Sequence, residues 1–160
     1  MVGYSNSGKT TIVSGLVHIL TAKGYKVAVI KHAAHGYSRD IPGKDSFQHF
    51  AAGAQQVIVA GPDSITLHKR YSHAPNLQEV LELITEVDLI IVEGYKNEPG
   101  PKIEIVNSDD QVIKLTKSNE LIAIISEEKL NYSMPCYNPA QLEQIAEFIA
   151  ASFLTQQVKA

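Results

Sequence analysis

The sequence predicts an α/β fold, with helices layered over a mostly parallel sheet, on three observations. Short apolar runs rich in β-branched residues alternate with amphipathic helical segments along most of the chain. A glycine-bearing turn, Gly3 to Gly8, leads straight into the first of those helices. The run DLIIVEG (88–94) is apolar through its middle, as a strand covered on both faces must be.

In chain order, Thr10 to Gly24 places Ile12, Val13, Leu16, Val17, Ile19 and Leu20 on one helical face, and Gly24 ends the helix. KVAVIKH (26–32) reads as a short apolar strand dense in β-branched residues. Residues 33–46 are polar and hold Gly36, Pro42 and Gly43, so they read as a long loop of the kind that carries function. A short helix over 45–53 precedes two strands, QVIVA (56–60) and SITLHKR (64–70), around a Gly61-Pro62-Asp63 turn. Asn76 and Glu79 form a capping box for a helix over 77–86. After the strand at 88–94, KIEIV (102–106) and QVIKL (111–115) flank Asn107-Ser108-Asp109-Asp110, which predicts a small antiparallel hairpin insertion over 102–116. LIAIIS (121–126) is a further buried strand. Asn138, Pro139 and Gln141 then predict the start of a last helix carrying Leu142, Ile145, Ala146, Ile149, Ala150 and Phe153 on one face.

The 160 residues suit one domain spanning 1–160. Hydrophobic residues at 44% and charged residues at 19% exclude a disordered or fibrous chain. A formal charge of -3 leaves no global basic field, which argues against nucleic acid and anionic membrane surfaces as partners. The single cysteine, Cys136, excludes an internal disulfide and an all-cysteine zinc site, and fits a reducing compartment. No apolar run approaches the roughly 20 residues that span a bilayer, and the first residues carry no leader pattern. The expectation is a cytoplasmic protein.

One motif carries most of the chemistry. Gly3-Tyr4-Ser5-Asn6-Ser7-Gly8-Lys9-Thr10 matches the phosphate-binding loop of P-loop NTPases at every fixed position. Gly3 and Gly8 permit close backbone approach, and the amides across Ser5, Asn6 and Ser7 form a nest for phosphate oxygens. The helix beginning at Thr10 adds its positive dipole end. Lys9 is placed to reach the β and γ phosphates, the Thr10 hydroxyl to join a magnesium shell, and Thr11 to meet the α phosphate. Only Met1 and Val2 precede Gly3, so the strand leading into the loop is expected to be absent or nearly so.

Magnesium in such a site needs a second oxygen ligand, usually a carboxylate at the end of a neighbouring strand. Glu93 leaves the LIIV strand at its carboxyl end, where open α/β sheets bind ligands, and is the candidate metal-side or water-positioning carboxylate, with Lys9 and Glu93 the candidate catalytic pair. Lys31 and His32 close the second strand and are expected to face the same crevice, with His32 a candidate phosphate or substrate contact. His35, His49, His68 and His73 show no metal-ligand spacing. Asp40, Lys44 and Asp45 sit in or beside the long loop. They either approach the nucleotide or, for Asp45 with Ser46, cap the next helix. Base choice is poorly encoded: the nearest counterpart of the guanine-reading Asn/Thr-Lys-x-Asp string is Thr116-Lys117-Ser118-Asn119, which lacks the acid.

Together, GYSNSGKTT, the strand ending in KH, the DIPGKDS loop, the AAGA segment and LIIVEGYK resemble the molybdopterin-guanine dinucleotide biosynthesis protein B (MobB) family, from Gly3 to the last helix. The resemblance implies a homodimeric, GTP-binding P-loop protein in the last step of molybdenum cofactor maturation, where a separate guanylyltransferase attaches guanosine monophosphate to molybdopterin. It implies an accessory factor that binds and slowly hydrolyses GTP with Mg2+ and contacts the transferase or the molybdoenzymes that receive the cofactor. Residue by residue, Gly3, Gly8, Lys9, Thr10 and Thr11 would hold phosphates, Thr10 and Glu93 would lie near magnesium, and Asp45 would join the site. Slow turnover is consistent with the absence of arginine from the loop and from the neighbourhood of Glu93. Two other readings fit the loop: an ATP-dependent small-molecule kinase, disfavoured by a total of two arginines, and a non-hydrolysing scaffold whose nucleotide orders an interface.

Overall fold

Ile12, Val13, Leu16 and Leu20 recur at three- and four-residue spacing, and they are the buried face of α1 (Lys9–Ala22). In the computed structural model, which describes residues 1–34, 36–37, 41–106 and 119–154, the chain divides into two compact units. The first comprises 1–32 and 80–160, the second 33–79.

The first unit is built on β1 (Val2–Gly3), β2 (Val27–Lys31), β5 (Leu89–Glu93), β6 (Lys102–Val106), β7 (Leu121–Ser126) and β8 (Cys136–Tyr137), with helices α1 and α4 (Leu142–Phe153). Four strands run parallel in the order β1-β6-β7-β8, and β2 pairs in parallel with β5. The Gly94 N–H donates to the Met1 carbonyl over 3.0 Å, so the end of β5 lies beside the start of β1. The strand leading into the phosphate loop therefore has β5 on one side and β6 on the other. One face of the sheet is closed by α1 and α4, whose Leu16, Leu20, Ile145 and Ala146 are fully buried with Ile103, Ile105, Ala123 and Ile125. The other face of β6 and β7 presents Val106, Leu121 and Ile124, covered by Leu130, Tyr132, Met134 and Cys136.

The second unit holds α2 (Asp45–Ala51) and the antiparallel pair β3 (Gln56–Ala60) and β4 (Ile65–Lys69), with Ile58 opposite Leu67. Here lies the small antiparallel element. Of its two strands only Val57 is buried, while Ile58, Val59, Ile65 and Leu67 are exposed. The short α3 (Leu77–Leu81) begins at the end of this unit and runs into the first.

The expected elements appear, with four corrections. Lys102–Val106 is not a hairpin arm: every residue of it is buried, and it pairs in parallel with β1 and β7. Its expected partner, 111–115, lies outside the described residues. Alternation alone could not separate a ladder with a neighbouring run from one with strands remote in sequence. The helix expected over 77–86 ends at Leu81, because bonding tightens to the i−3 pattern at Leu83 and Ile84 and Glu86 takes φ 58. The last helix starts at Leu142, three residues after Pro139. The Asn138 N–H donates to Gln141 Oε1 as in a capping box, but Asn138 Oδ1 accepts from the Ala140 N–H, so the pair closes a turn before the helix, with Gln141 at a non-helical ψ of 44. The fourth is an omission: Cys136–Tyr137 forms a parallel edge strand too short for periodicity to register.

Candidate functional site

The loop between β1 and α1 folds as its residue types require. A Cβ on Gly3 would stand 2.6 Å from the Ile105 carbonyl oxygen and 2.7 Å from Ser7 Oγ, so only glycine lets the loop leave β1 against β6. Asn6 takes φ 62 and Gly8 φ 81, a left-handed sequence that turns successive amides inward. Ser7 is buried beneath the loop, its N–H donating to the Tyr4 carbonyl, while Ser5 and Asn6 are exposed at its tip. Gly8 caps α1 with no side-chain hydrogen bond to the helix end, and the first helical bond is Ile12 N–H to the Gly8 carbonyl. The leading N–H groups of α1 are thus left to an external acceptor.

Lys9 curls back over the loop. Its Nζ donates to the carbonyls of Gly3 and Tyr4 and lies 3.4 Å from Ser7 Oγ. Burial holds its pKa below the ordinary lysine value, an effect opposed by the Glu93 carboxylate and reinforced by the Lys31 ammonium.

Glu93 ends β5 directly opposite Lys31, the last residue of β2, so parallel register brings their side chains to one edge. Thr10 Oγ1 donates toward both Glu93 carboxylate oxygens, at 3.0 and 3.3 Å. Lys31 Nζ lies 3.0 Å from Thr10 Oγ1 and 3.1 Å from Glu93 Oε1. Glu93 is buried although charged, and this pair of polar contacts offsets its desolvation. The backbone at Glu93 is fixed as well, by the His32 N–H on its carbonyl at 2.9 Å and by the Gly94 bond to Met1. Gly94, at φ 96, sits where a Cβ would meet His32 Cβ at 2.9 Å.

Two ammonium groups and a helix N-terminus around one carboxylate give a local positive centre within a protein of negative net charge. That is the charge pattern a polyphosphate requires. The Thr10 hydroxyl and the Glu93 carboxylate are hard oxygen donors converging on one point, now bridged by the Lys31 ammonium. They suit Mg2+, which commonly takes one or two protein oxygens and fills the rest of its shell with phosphate oxygens and water. Among the described residues, no group of three or more His, Cys, Asp or Glu could form a self-sufficient metal cage.

Of the residues expected at the site, Gly3, Ser5, Asn6, Ser7, Gly8, Lys9, Thr10 and Thr11 form the loop and first turn, and Glu93 meets Thr10. His32 lies at the same strand end, but its ring stacks on Tyr95, with centroids 4.2 Å apart and planes at 16°. Asp45 belongs to the second unit, where it is the first residue of α2 and the acid of its first turn; Lys44 holds the N-cap position without a side-chain hydrogen bond to the helix end. Asp40 and Arg39 lie outside the described residues, as do Thr116, Lys117 and Ser118. The contributions of Lys31 to the carboxylate and of Tyr95 to His32 were not assigned from sequence. For Lys31 the signal was its place at the end of the strand before a second charged strand end.

The phosphate loop, the flanking parallel strands and the Thr10–Glu93 pair define a protein of the P-loop NTPase fold. The family model for molybdopterin guanine dinucleotide synthesis protein B matches residues 1–127, and the chain belongs to that family. It is 33% identical over 152 residues to a molybdopterin-guanine dinucleotide biosynthesis adapter protein of Haemophilus influenzae, covering 93% of this chain and 85% of the relative. Its likeness to the Escherichia coli adapter protein is 32% over 155 residues, with 91% and 87% covered. The crystal structure of Bacillus subtilis MobB superposes with a TM-score of 0.79 at 28% identity, covering 95% of this chain and 94% of that one.

Proposed function

We propose that this protein is a GTP-binding adapter of molybdenum cofactor biosynthesis, acting where guanosine monophosphate is joined to molybdopterin. The observation that carries the reading is the Thr10–Glu93–Lys31 cluster directly behind a complete phosphate loop, in a chain of this family. The adapter names of the Haemophilus and Escherichia relatives support the pathway. In this reading the loop amides and Lys9 bind the phosphates, and Thr10 and Glu93 hold Mg2+, which supplies charge neutralisation at the γ phosphate when bound. Thr11 meets the α phosphate, while His32 borders the site. Glu93 accepts from Thr10 and so keeps its hydroxyl oriented toward the metal position.

Hydrolysis is slow or partner-activated, since the clustered cations are the lysines that also bind ground-state phosphates, and such binding lowers no barrier by itself. The partners are the guanylyltransferase and the molybdoenzymes that receive the cofactor, in the cytoplasm. The protein works as a homodimer, and the exposed apolar residues of the β3–β4 ribbon support self-association.

The test is calorimetric binding of GTP and ATP in the presence and absence of Mg2+, with Lys9→Ala as control. The expected result is Mg2+-dependent GTP binding that weakens roughly 10- to 100-fold in Lys9→Ala, the loss of a charge-assisted contact or two. Equal or stronger ATP binding would move the reading to the kinase alternative.

A further inference from the structure

Beyond the phosphate loop, on the side of β1 away from Glu93, lies a cavity of about 490 Å³. Its floor is the loop and first turn of α1, with Asn6, Gly8 and Thr11. Its walls are Val106 at the end of β6 and Leu142 at the start of α4, and its rim carries Glu127. The volume lies within the range of small-molecule sites. Among the described residues that line it, Glu127 is the one that carries a charge, so they offer no cation to a further phosphate. Its apolar walls suit a flat ring instead.

Strand order fixes how a nucleotide would lie. β5, with Glu93, flanks β1 on one side, and β6, β7 and β8 follow on the other. Terminal phosphates drawn to the Glu93 side leave the ribose and base to pass Thr11 into this cavity. Glu127 follows directly on β7, and the turn that presents it is pinned by the Glu128 N–H donating to Ser126 Oγ at 3.1 Å.

We propose that Glu127 reads the base and makes the cavity selective for guanine, an inference that rests on the nucleotide-binding reading above. An ionised carboxylate only accepts hydrogen bonds. Guanine presents two donors side by side, the ring N1–H and the 2-amino group, and so matches it. Adenine presents an unprotonated ring nitrogen at the same place, and its lone pair opposes the carboxylate. The acid missing from Thr116-Lys117-Ser118-Asn119 is thus supplied from the end of the next strand.

The experiment measures equilibrium binding of GTP, ATP and xanthosine triphosphate with Mg2+ to the full chain, to Glu127→Gln and to Lys9→Ala. Xanthine carries a carbonyl where guanine carries the 2-amino group, and the glutamine amide can donate to it. Glu127→Gln is expected to lose roughly 10- to 100-fold in GTP affinity and to gain in affinity for xanthosine triphosphate, a gain that a folding defect cannot produce. Unchanged GTP affinity in Glu127→Gln, with binding abolished in Lys9→Ala, overturns the base assignment and leaves the phosphate site standing. An equal loss for all three nucleotides also overturns it, because a base reader discriminates. A parent protein that binds none of them overturns both readings.

Discussion

Gly94 shows how one residue sets the geometry of a charged centre. It follows the metal-side carboxylate, takes φ 96, and leaves no room for a methyl group beside His32 Cβ. Its N–H also ties β5 to the start of β1. Gly94→Ala must therefore strain the backbone or displace His32, and the expected destabilisation is about 1–3 kcal/mol. Urea unfolding would measure it, and because Glu93 is adjacent, nucleotide affinity should fall in the same variant. A stable Gly94→Ala protein with parental affinity would mean that the tight packing at this turn is not what positions Glu93.

Among the elements, α3 depends most on its ends, for five residues make too few internal hydrogen bonds to hold a helix alone. Its capping box is complete: the Glu79 N–H donates to Asn76 Oδ1, and the Asn76 N–H donates to Glu79 Oε2, each over 2.9 Å. His73 Nε2 adds a contact to the same carboxylate at 3.0 Å. Asn76→Ala should cost about 1 kcal/mol. The Asn76 N–H and then His73 hold the Glu79 pKa below its ordinary 4.5. A carboxylate with a depressed folded pKa contributes stability above the unfolded value and loses it as pH falls through the folded one. Thermal melts from pH 7 down to below 4.5 should show a shallower acid decline in Glu79→Gln than in the parent. Coincident declines would remove Glu79 from the account.

At the scale of the whole molecule, the open question is how an exposed apolar ribbon is tolerated. Ile58 and Ile65 are 61% and 72% exposed, on a two-stranded ribbon with little of its own core. The proposed homodimer would cover this face. Light scattering at micromolar concentration should give twice the chain mass for the parent and the single mass for Ile58→Lys, with a lower Tm in the variant because association no longer stabilises the folded chain. A monomeric parent would overturn the homodimer, and an unchanged dimer in the variant would place the contact elsewhere.

The sequence by itself determined the phosphate loop, the helix behind it and the buried character of LIAIIS (121–126), because those depend on local backbone needs and on hydrophobic period. Gly3, Lys9 and Thr10 could be assigned from eight consecutive residues. Glu93 could be chosen by its position at a strand end. Only tertiary structure decided that Lys102–Val106 is a central parallel strand, since pairing with β1 and β7 joins residues far apart in the chain. It also decided that Lys31 meets Glu93, a matter of register between β2 and β5. Likewise it brought Glu127 to the cavity beside Thr11. Local signals report what a segment can form, whereas a site needs segments to meet, and that is set by which edges and faces the fold brings together.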